Sequence, residues 1–407
     1  MLKKILKINN IITALYFLFL IALLVLPVLK YSVKYVYIIA ASLPFMALYC
    51  MQKRKNLSVL YLFLVSLVLF FAFGFLMNTP LDVNSSINFS VVSYLCFLPY
   101  FMFDYSVSRK NEPEIKLIII LTLLLFAFIM VRTFIAFSVD PLVARRMAMG
   151  TNENEYVNEL RSKNYGGFGF SYAVGTLIPY VAVKIMRSTG RSKFGFIVLF
   201  VMLFVYCILT QYTTLIMLAI VFSTIVFIKE SKGFVTKMIL TAIAVTIIIS
   251  FTRIIGFLGN HIPLQELAYH FKLMYITLTT GEETTSRMYY MRRCFSLFKS
   301  HPFFGVNMLD SYNSYIVNHG HSTYIPLLAS HGLIGTGLYI GITVMFMKSI
   351  IAKLRSDKTL WIVFASYLVL GILNPNNSFE ISVVVFLLIP LMEFYSMNKG
   401  EGEEEYV

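Results

Sequence analysis

The sequence predicts an all-α, polytopic membrane protein with about twelve transmembrane helices and a long, late extracytoplasmic loop that contains amphipathic helices. Of its 407 residues, 58% are hydrophobic and 13% are charged, whereas a soluble domain is typically about 45–50% apolar and about 25% charged. The mean hydropathy is +0.77. The apolar residues also occur in blocks of about twenty with few charges inside, which is the length that a helix needs to cross a bilayer.

The predicted transmembrane helices cover residues 11–29, 33–50, 57–77, 89–107, 115–137, 166–186, 194–210, 212–228, 234–255, 322–347, 360–373 and 379–395. The block at 194–228 would be about 50 Å long as a single helix, which exceeds the ~30 Å hydrocarbon core. Lys and Arg residues flank this block on both sides, and basic flanks favour the same side of the membrane. We therefore predict a hairpin that turns near residues 210–214.

This layout divides the chain into five regions. They are the first five transmembrane helices (1–137), a first external loop (138–165), helices six to nine (166–255), a large external loop (256–321), and the last three helices with an acidic cytoplasmic tail (322–407). With both termini in the cytoplasm, 21 of the 34 Lys and Arg residues lie inside and 13 outside, as the positive-inside rule requires. Lys30 and Lys34 in the first external turn are a mild exception.

The composition excludes several classes of protein. The net charge is +14, but the basic residues lie in short runs between apolar blocks, so we do not expect a nucleic-acid partner. The four cysteines form no Cys-x-x-Cys pair, which predicts neither a metal site nor a disulfide framework. An ion-coupled transporter usually carries ionisable groups inside its spans, and many transporters show internal repeats. Neither feature is present here.

The polar residues that carry chemistry gather in the large external loop. All six histidines lie within or beside it. Two apolar stripes at helical spacing predict amphipathic helices in this loop, the second over residues 286–299. On that second helix Arg287 and Arg292 fall at the two edges of the stripe, and Arg293 lies opposite and is expected to be solvated. Arg287 is either an interfacial anchor or a ligand for phosphate oxygens, which arginine binds bidentately.

Three short motifs follow the second amphipathic helix. They are His301-Pro-Phe-Phe-Gly305, His319-Gly-His321-Ser322 and Gly332-Leu-Ile-Gly335. If one helix runs through His321, then Gly332 and Gly335 share its face and allow another helix to approach closely. The alternative is a packing helix with a capping histidine.

His321-Ser322, nine residues and then Gly332-x-x-Gly335 resembles the His-[Asn/Ser/Gln]-x9-Gly-x-x-Gly signature of the O-antigen ligase and Wzy-type polysaccharide polymerase superfamily. Ser286-Arg287 followed by His301-Pro302-x-x-Gly305 is similar to the stretch that precedes the histidine in that family. Residues 141–146 and 165–172 are similar to passages in capsular-polysaccharide polymerases. One departure concerns the hairpin turn, where relatives often carry a Ser-Arg pair and this chain has Thr210-Gln-Tyr-Thr-Thr214.

The resemblance implies an inverting, metal-independent membrane glycosyltransferase without a cofactor, located in the bacterial plasma (inner) membrane with its active site on the extracytoplasmic side. Its partners would be undecaprenyl-pyrophosphate-linked glycan donor and acceptor, the lipid bilayer and a chain-length regulator. His321 and Arg287 would be catalytic, and Gly305, Gly332 and Gly335 would be structural. The substrate and its pyrophosphate would be bound by Arg145, Arg146, Arg253, Arg292 and Ser322.

Three alternatives stay open at this stage. A ligase of the same superfamily would transfer the glycan to lipid A–core instead of a lipid-linked repeat. A flippase for lipid-linked oligosaccharides would need a charged central cavity and repeats, and a non-catalytic scaffold would not need histidine and arginine on one face. The passages at 141–146 and 165–172 favour a polymerase of surface polysaccharide repeat units.

Overall fold

The computed structural model describes residues 8–52, 60–65, 68, 83–149, 155–281, 286–306, 311–354 and 359–404. These residues form α-helices joined by turns, and none of them lies in a strand. The helices are α1 (Ile8–Val25), α2 (Pro27–Ser32), α3 (Tyr35–Gln52), α4 (Val83–Arg109), α5 (Glu112–Phe137), α6 (Val143–Met149), α7 (Glu155–Ser162), α8 (Phe168–Arg187), α9 (Gly190–Leu209), α10 (Thr213–Glu230), α11 (Phe234–Ile249), α12 (Phe251–His261), α13 (Gln265–Thr280), α14 (Ser286–Ser300), α15 (Ser311–Asn318), α16 (Tyr324–Leu354), α17 (Thr359–Leu373), α18 (Phe379–Val383) and, after a π-helical turn at Val384–Leu388, α19 (Ile389–Glu404).

Seven of the described helices are long and apolar enough to cross a membrane, and there are eight if the bent pair α11 and α12 forms one span. Two shorter apolar helices cover Asn10–Val25 and Leu360–Leu373. The described part of the chain is thus all-helical, with several helices suited to span a membrane, as the sequence predicts. The number twelve and the sidedness stay predictions, and most of the predicted third span (57–77) lies outside the described residues.

The predicted hairpin is present between α9 and α10. Its turn lies at residues 210–212, where Gln211 adopts a φ of 59°. Arg187, the last residue of α8, donates hydrogen bonds of 2.9 and 3.0 Å to the carboxylate of Glu230 at the end of α10. The ends of α8 and α10 therefore lie side by side. The loops and turns that surround His321 meet at the opposite end of the bundle, which we call the His321 end.

The structure differs from the prediction at the ninth span. In place of one helix over residues 234–255, α11 ends at Ile249, and α12 turns away from it by 69°. Ser250 leaves the helical conformation at the bend. The physical reason is that α12 is amphipathic and buries Ile255 against Phe271 of α13. It gains this contact by lying across the end of the bundle.

Three other features of the chain differ from the prediction: extra helices in each of the two loops, and the end of the first span. The first external loop (138–165) contains α6 and α7, which are seven and eight residues long. The large loop contains α15, which is also eight residues long. Helices this short give no clear periodic pattern in a sequence. The first span ends at Val25 because Pro27, which occupies the first turn of α2, starts a separate helix.

The segment 301–306 docks into a break in α16. The break is at Gly332, which has φ 58° and ψ −163°, a combination essentially restricted to glycine. A broken helix leaves backbone N–H and C=O groups without intrahelical partners, and the segment supplies these partners. The backbone hydrogen bonds are Leu333 N to Pro302 O (2.8 Å), Ile334 N to Phe303 O (3.2 Å) and Val306 N to Ala329 O (2.8 Å).

Glycines make this close contact possible. A Cβ atom on Gly332 would lie 2.3 Å from the carbonyl oxygen of Phe303, and one on Gly305, whose φ is 79°, would lie 2.4 Å from the carbonyl of Ser330. A Cβ atom on Gly335 would lie 2.6 Å from the Cβ of His331. The turn that contains Gly305 therefore packs directly against the helix break at Gly332.

This arrangement corrects the expected continuous helix through His321. Because α16 begins at Tyr324 and breaks at Gly332, His321, Gly332 and Gly335 do not share one helical face. Gly332 makes room for a backbone turn of the same chain, and Gly335 makes room for a neighbouring side chain of its own helix.

We expect Gly332→Ala to lower the free energy of unfolding by at least about 1–3 kcal/mol, because alanine is strained at this φ and ψ and its methyl group meets Phe303. Gly337→Ala is the matched control, since it lies in the same helix with nothing within 4 Å of the added Cβ. There alanine is neutral or stabilising by up to about 1 kcal/mol. Thermal unfolding of the two purified variants in detergent measures the difference. Equal melting temperatures would contradict this account of the break.

Candidate functional site

The hairpin turn between α9 and α10 holds α6 at the His321 end. Tyr212 donates its hydroxyl proton to the carbonyl of Ala144 at 2.9 Å, and the Gln211 side-chain amide lies 3.4 Å from the carbonyl of Pro141. Arg145 follows directly on α6 and donates to the backbone carbonyl of Gln211 at 3.3 Å. This hairpin turn has no arginine of its own, and Arg145 contacts it from α6 instead.

The guanidinium of Arg145 is half-buried and reaches α13 on its other side. Its Nη2 lies 2.7 Å from Nε2 of His270, and its Nη1 lies 3.5 Å from the Glu266 carboxylate. Because a guanidinium group can only donate hydrogen bonds, Nε2 of His270 must be the acceptor, which requires a neutral imidazole. Partial burial and the positive charge of Arg145 both lower the pKa of His270 and favour that neutral form.

Arg287 approaches the same place from the first turn of α14. Its Nη1 donates to the hydroxyl of Thr214 at 3.3 Å. Burial lowers the pKa of Arg287, Tyr172 opposes this effect, and Arg145 adds to it. An arginine nevertheless stays charged in proteins. Two positive guanidinium groups are therefore held within electrostatic reach of each other, and only one carboxylate, that of Glu266, is described beside them.

His321 lies within electrostatic reach of Arg287, which is itself within reach of Arg145. The residue as a whole is accessible to solvent, but its neighbours crowd the ring. This partial burial, with the charges of Arg287 and His319, lowers the pKa of His321. The imidazole is thus neutral at pH 7, with a nitrogen lone pair available to accept a proton. A neutral imidazole near the guanidinium group of Arg287 combines a base with an anion-binding group.

The backbone of His321 is fixed through the two residues that follow it. The hydroxyl of Ser322 and the N–H of Thr323 both donate to the carbonyl of Gly371 near the end of α17, each at 2.9 Å. The hydroxyl of Thr323 accepts the N–H of Asn376 at 2.8 Å. The His321 turn is therefore attached to the α17–α18 loop rather than to α16 alone.

That α17–α18 loop also connects to the arginines. The Asn374 side-chain amide donates to the hydroxyl of Tyr172 at 2.9 Å, and Tyr172 interacts with Arg287 and Arg145. Beyond the loop, Lys30 forms a buried ion pair of 2.7 Å with Glu380 at the start of α18. Lys30 is an exception to the positive-inside rule, and its charge is paired with the carboxylate of Glu380.

The predicted site residues divide into two groups. His321, Arg287 and Arg145 come together. Arg146 is exposed and pairs with Asp140 at 3.2 Å, and Arg253 is exposed on α12 beyond the bend. Arg292 is exposed on the far part of α14, beside Phe295 and Lys299.

Ser322 is almost fully buried and bonds to backbone. Its hydroxyl helps to hold the turn that carries His321, and its assignment to substrate binding stays a prediction. Gly305, Gly332 and Gly335 lie where an added Cβ atom would meet neighbouring atoms at close distance.

Four further residues of the candidate site were not predicted from the sequence. His270 and Glu266 lie one turn apart on α13, and Tyr172 and Thr214 lie at the ends of predicted spans. Nothing in the chain order indicates that His270 meets Arg145, 125 residues earlier.

No protein-family model matches this chain, and no curated protein matches it either. Among the residues that the structure describes, no group of three or more His, Cys, Asp and Glu side chains is arranged to hold a metal ion. The functional conclusion therefore depends on the motifs and on the geometry of the arginines and histidines.

Proposed function

We propose that the protein is a membrane glycosyltransferase that polymerises undecaprenyl-pyrophosphate-linked repeat units into a surface polysaccharide. The observation that supports this most is the meeting of Arg145, Arg287 and His321, which are far apart in the sequence and come from three separate segments of the chain. An anion-binding pair beside a neutral imidazole is what such a reaction needs. The active site would face the extracytoplasmic side of the bacterial plasma membrane.

In the proposed reaction the acceptor sugar hydroxyl attacks the anomeric carbon of the donor glycan from the side opposite the leaving group. The new carbon–oxygen bond forms as the bond to the pyrophosphate oxygen breaks, so the configuration inverts. His321 accepts the hydroxyl proton as general base. Undecaprenyl pyrophosphate leaves with the bonding electrons, and the guanidinium groups of Arg287 and Arg145 stabilise the charge that develops on it.

Arg145 and Arg146 give a matched test, because they are neighbours in one helix and only Arg145 joins the site. We expect Arg145→Ala to reduce glycan transfer by about 10²–10³-fold, the usual effect of removing one donor to a developing charge. Arg146→Ala should retain nearly full activity, since its partners are the half-buried Asp140 and the exposed Tyr156, which lie outside the site. The measurement is the initial rate of elongation of lipid-linked repeat units by purified protein in nanodiscs. Equal loss in both variants would refute the proposed clamp.

A further inference from the structure

Three aromatic side chains form a cluster beside His321 that the proposed reaction does not use. Tyr290 comes from α14, Tyr315 from α15, and His319 from the turn that leads to His321. The ring of His319 lies 4.2 Å from that of Tyr315 and 5.2 Å from that of Tyr290, with interplanar angles of 38° and 31°. We call these three residues the aromatic platform.

The platform is held in one arrangement. The hydroxyl groups of Tyr290 and Tyr315 are hydrogen-bonded to each other at 2.9 Å, and Nδ1 of His319 donates to the carbonyl of Tyr315 at 2.7 Å. Beneath it, the buried residues Cys294 and Ile316 pack α15 against α14. The rings therefore need little ordering when a ligand arrives, which favours binding.

The platform is also exposed. Tyr315 is 52% accessible, and His319 is accessible as well. An aromatic ring has an apolar face, and the tyrosine hydroxyl and the imidazole add polar edges. A sugar ring has the matching surface, since one face of a pyranose presents C–H groups and its rim presents hydroxyl groups.

We propose that the aromatic platform binds sugar rings of the glycan chain and guides them to His321. This proposal rests on the proposed function, whose site the platform adjoins: only Gly320 separates His319 from His321. The platform would hold a part of the polysaccharide that does not react, so that a chain already extended binds more tightly than a single repeat unit.

The chain offers a matched control for this idea. Phe257 and His261 on α12 are also an aromatic and a histidine four residues apart, with ring centroids 4.2 Å apart, and Phe257 is 61% exposed. This pair lies on another helix, away from the turn that carries His321. An effect that came only from removing an exposed aromatic ring would appear equally in Phe257→Ala.

The experiment uses the full-length protein in nanodiscs, with the producing strain's own surface polysaccharide, released from lipid by mild acid, as the probe. We expect Tyr315→Ala to weaken binding about five- to tenfold, which is the scale of one aromatic contact. Tyr315→Phe keeps the ring and should bind within about twofold of wild type. Phe257→Ala should not change the affinity. The polymer made by Tyr315→Ala should be shorter, while joining of two single repeats continues.

The outcomes separate this proposal from the proposed function. If Tyr315→Ala binds the polysaccharide as tightly as wild type, or if Phe257→Ala loses as much affinity, the platform is not a glycan site. If wild type binds the polysaccharide through Tyr315 but does not elongate lipid-linked repeats, the platform stands and the proposed reaction fails. Melting temperatures of all three variants show whether a loss of binding reflects a loss of fold.

Discussion

Replacing His321 by alanine is expected to lower the rate of glycan transfer by about 10²–10⁴-fold, the usual contribution of a general base. The protein should still fold, because His321 is accessible and the turn that holds it is attached through Ser322 and Thr323. His301→Ala is the control. That histidine is also exposed, and the hydrogen bond described for its ring is with the neighbouring Ser300. A His321→Ala protein with normal activity would exclude this residue as the base.

The pH dependence of the wild-type rate gives a second readout for His321. A general base works in its deprotonated form. Burial, Arg287 and His319 lower the pKa of His321 below its ordinary value of 6.5. The rate at pH 6.5 should therefore exceed half of its plateau value, and it should fall as the pH decreases through the lowered pKa. A rate that already halves above pH 6.5 would contradict the electrostatic arrangement.

Replacing Arg287 by lysine is expected to be nearly as harmful as replacing it by alanine, with a loss of about 10²–10³-fold in rate for each. Arg287 is half-buried, donates to Thr214 and lies near Arg145. Lysine keeps the charge but loses the planar fork that binds phosphate oxygens bidentately. The alternative, an anchor to anionic lipid, would accept lysine without loss.

The control for Arg287 lies on the same helix. Arg293 is exposed and packs over the ring of Tyr289, with 5.3 Å from its Cζ to the ring centroid. We expect Arg293→Ala to transfer glycan at nearly the wild-type rate. Single-turnover rates with lipid-linked repeats compare the variants directly. Full activity of Arg287→Lys would make Arg287 an anchor and would leave Arg145 as the main cation of the site.

Much of the fold was predictable because a bilayer leaves few choices. Apolar blocks of helical length give the spans, and basic flanks on both sides of residues 194–228 indicate the hairpin that α9 and α10 form. The bend after Ile249 was not predictable from length, because the apolar block continues through it. It follows from a tertiary contact, the packing of Ile255 on α13.

The site was predictable in part for a similar reason. His321 and the glycines stand in a fixed local spacing, so a motif marks them. The spacing did not reveal that Gly332 breaks its helix, because a glycine that allows close helix packing and one with a positive φ look the same in a sequence. The partners of Arg145 were hidden because they depend on how α6, α10 and α13 meet.

Elongation by the purified protein alone tests the proposed polymerisation most directly. The protein in nanodiscs receives one substrate, an undecaprenyl-pyrophosphate-linked single repeat unit, and the glycans and released lipid are followed over time. We expect a ladder of lipid-linked glycans, with one undecaprenyl pyrophosphate released for each bond formed, and no ladder with His321→Ala. Single repeat units that remain unchanged, or that only cross the bilayer, would contradict it.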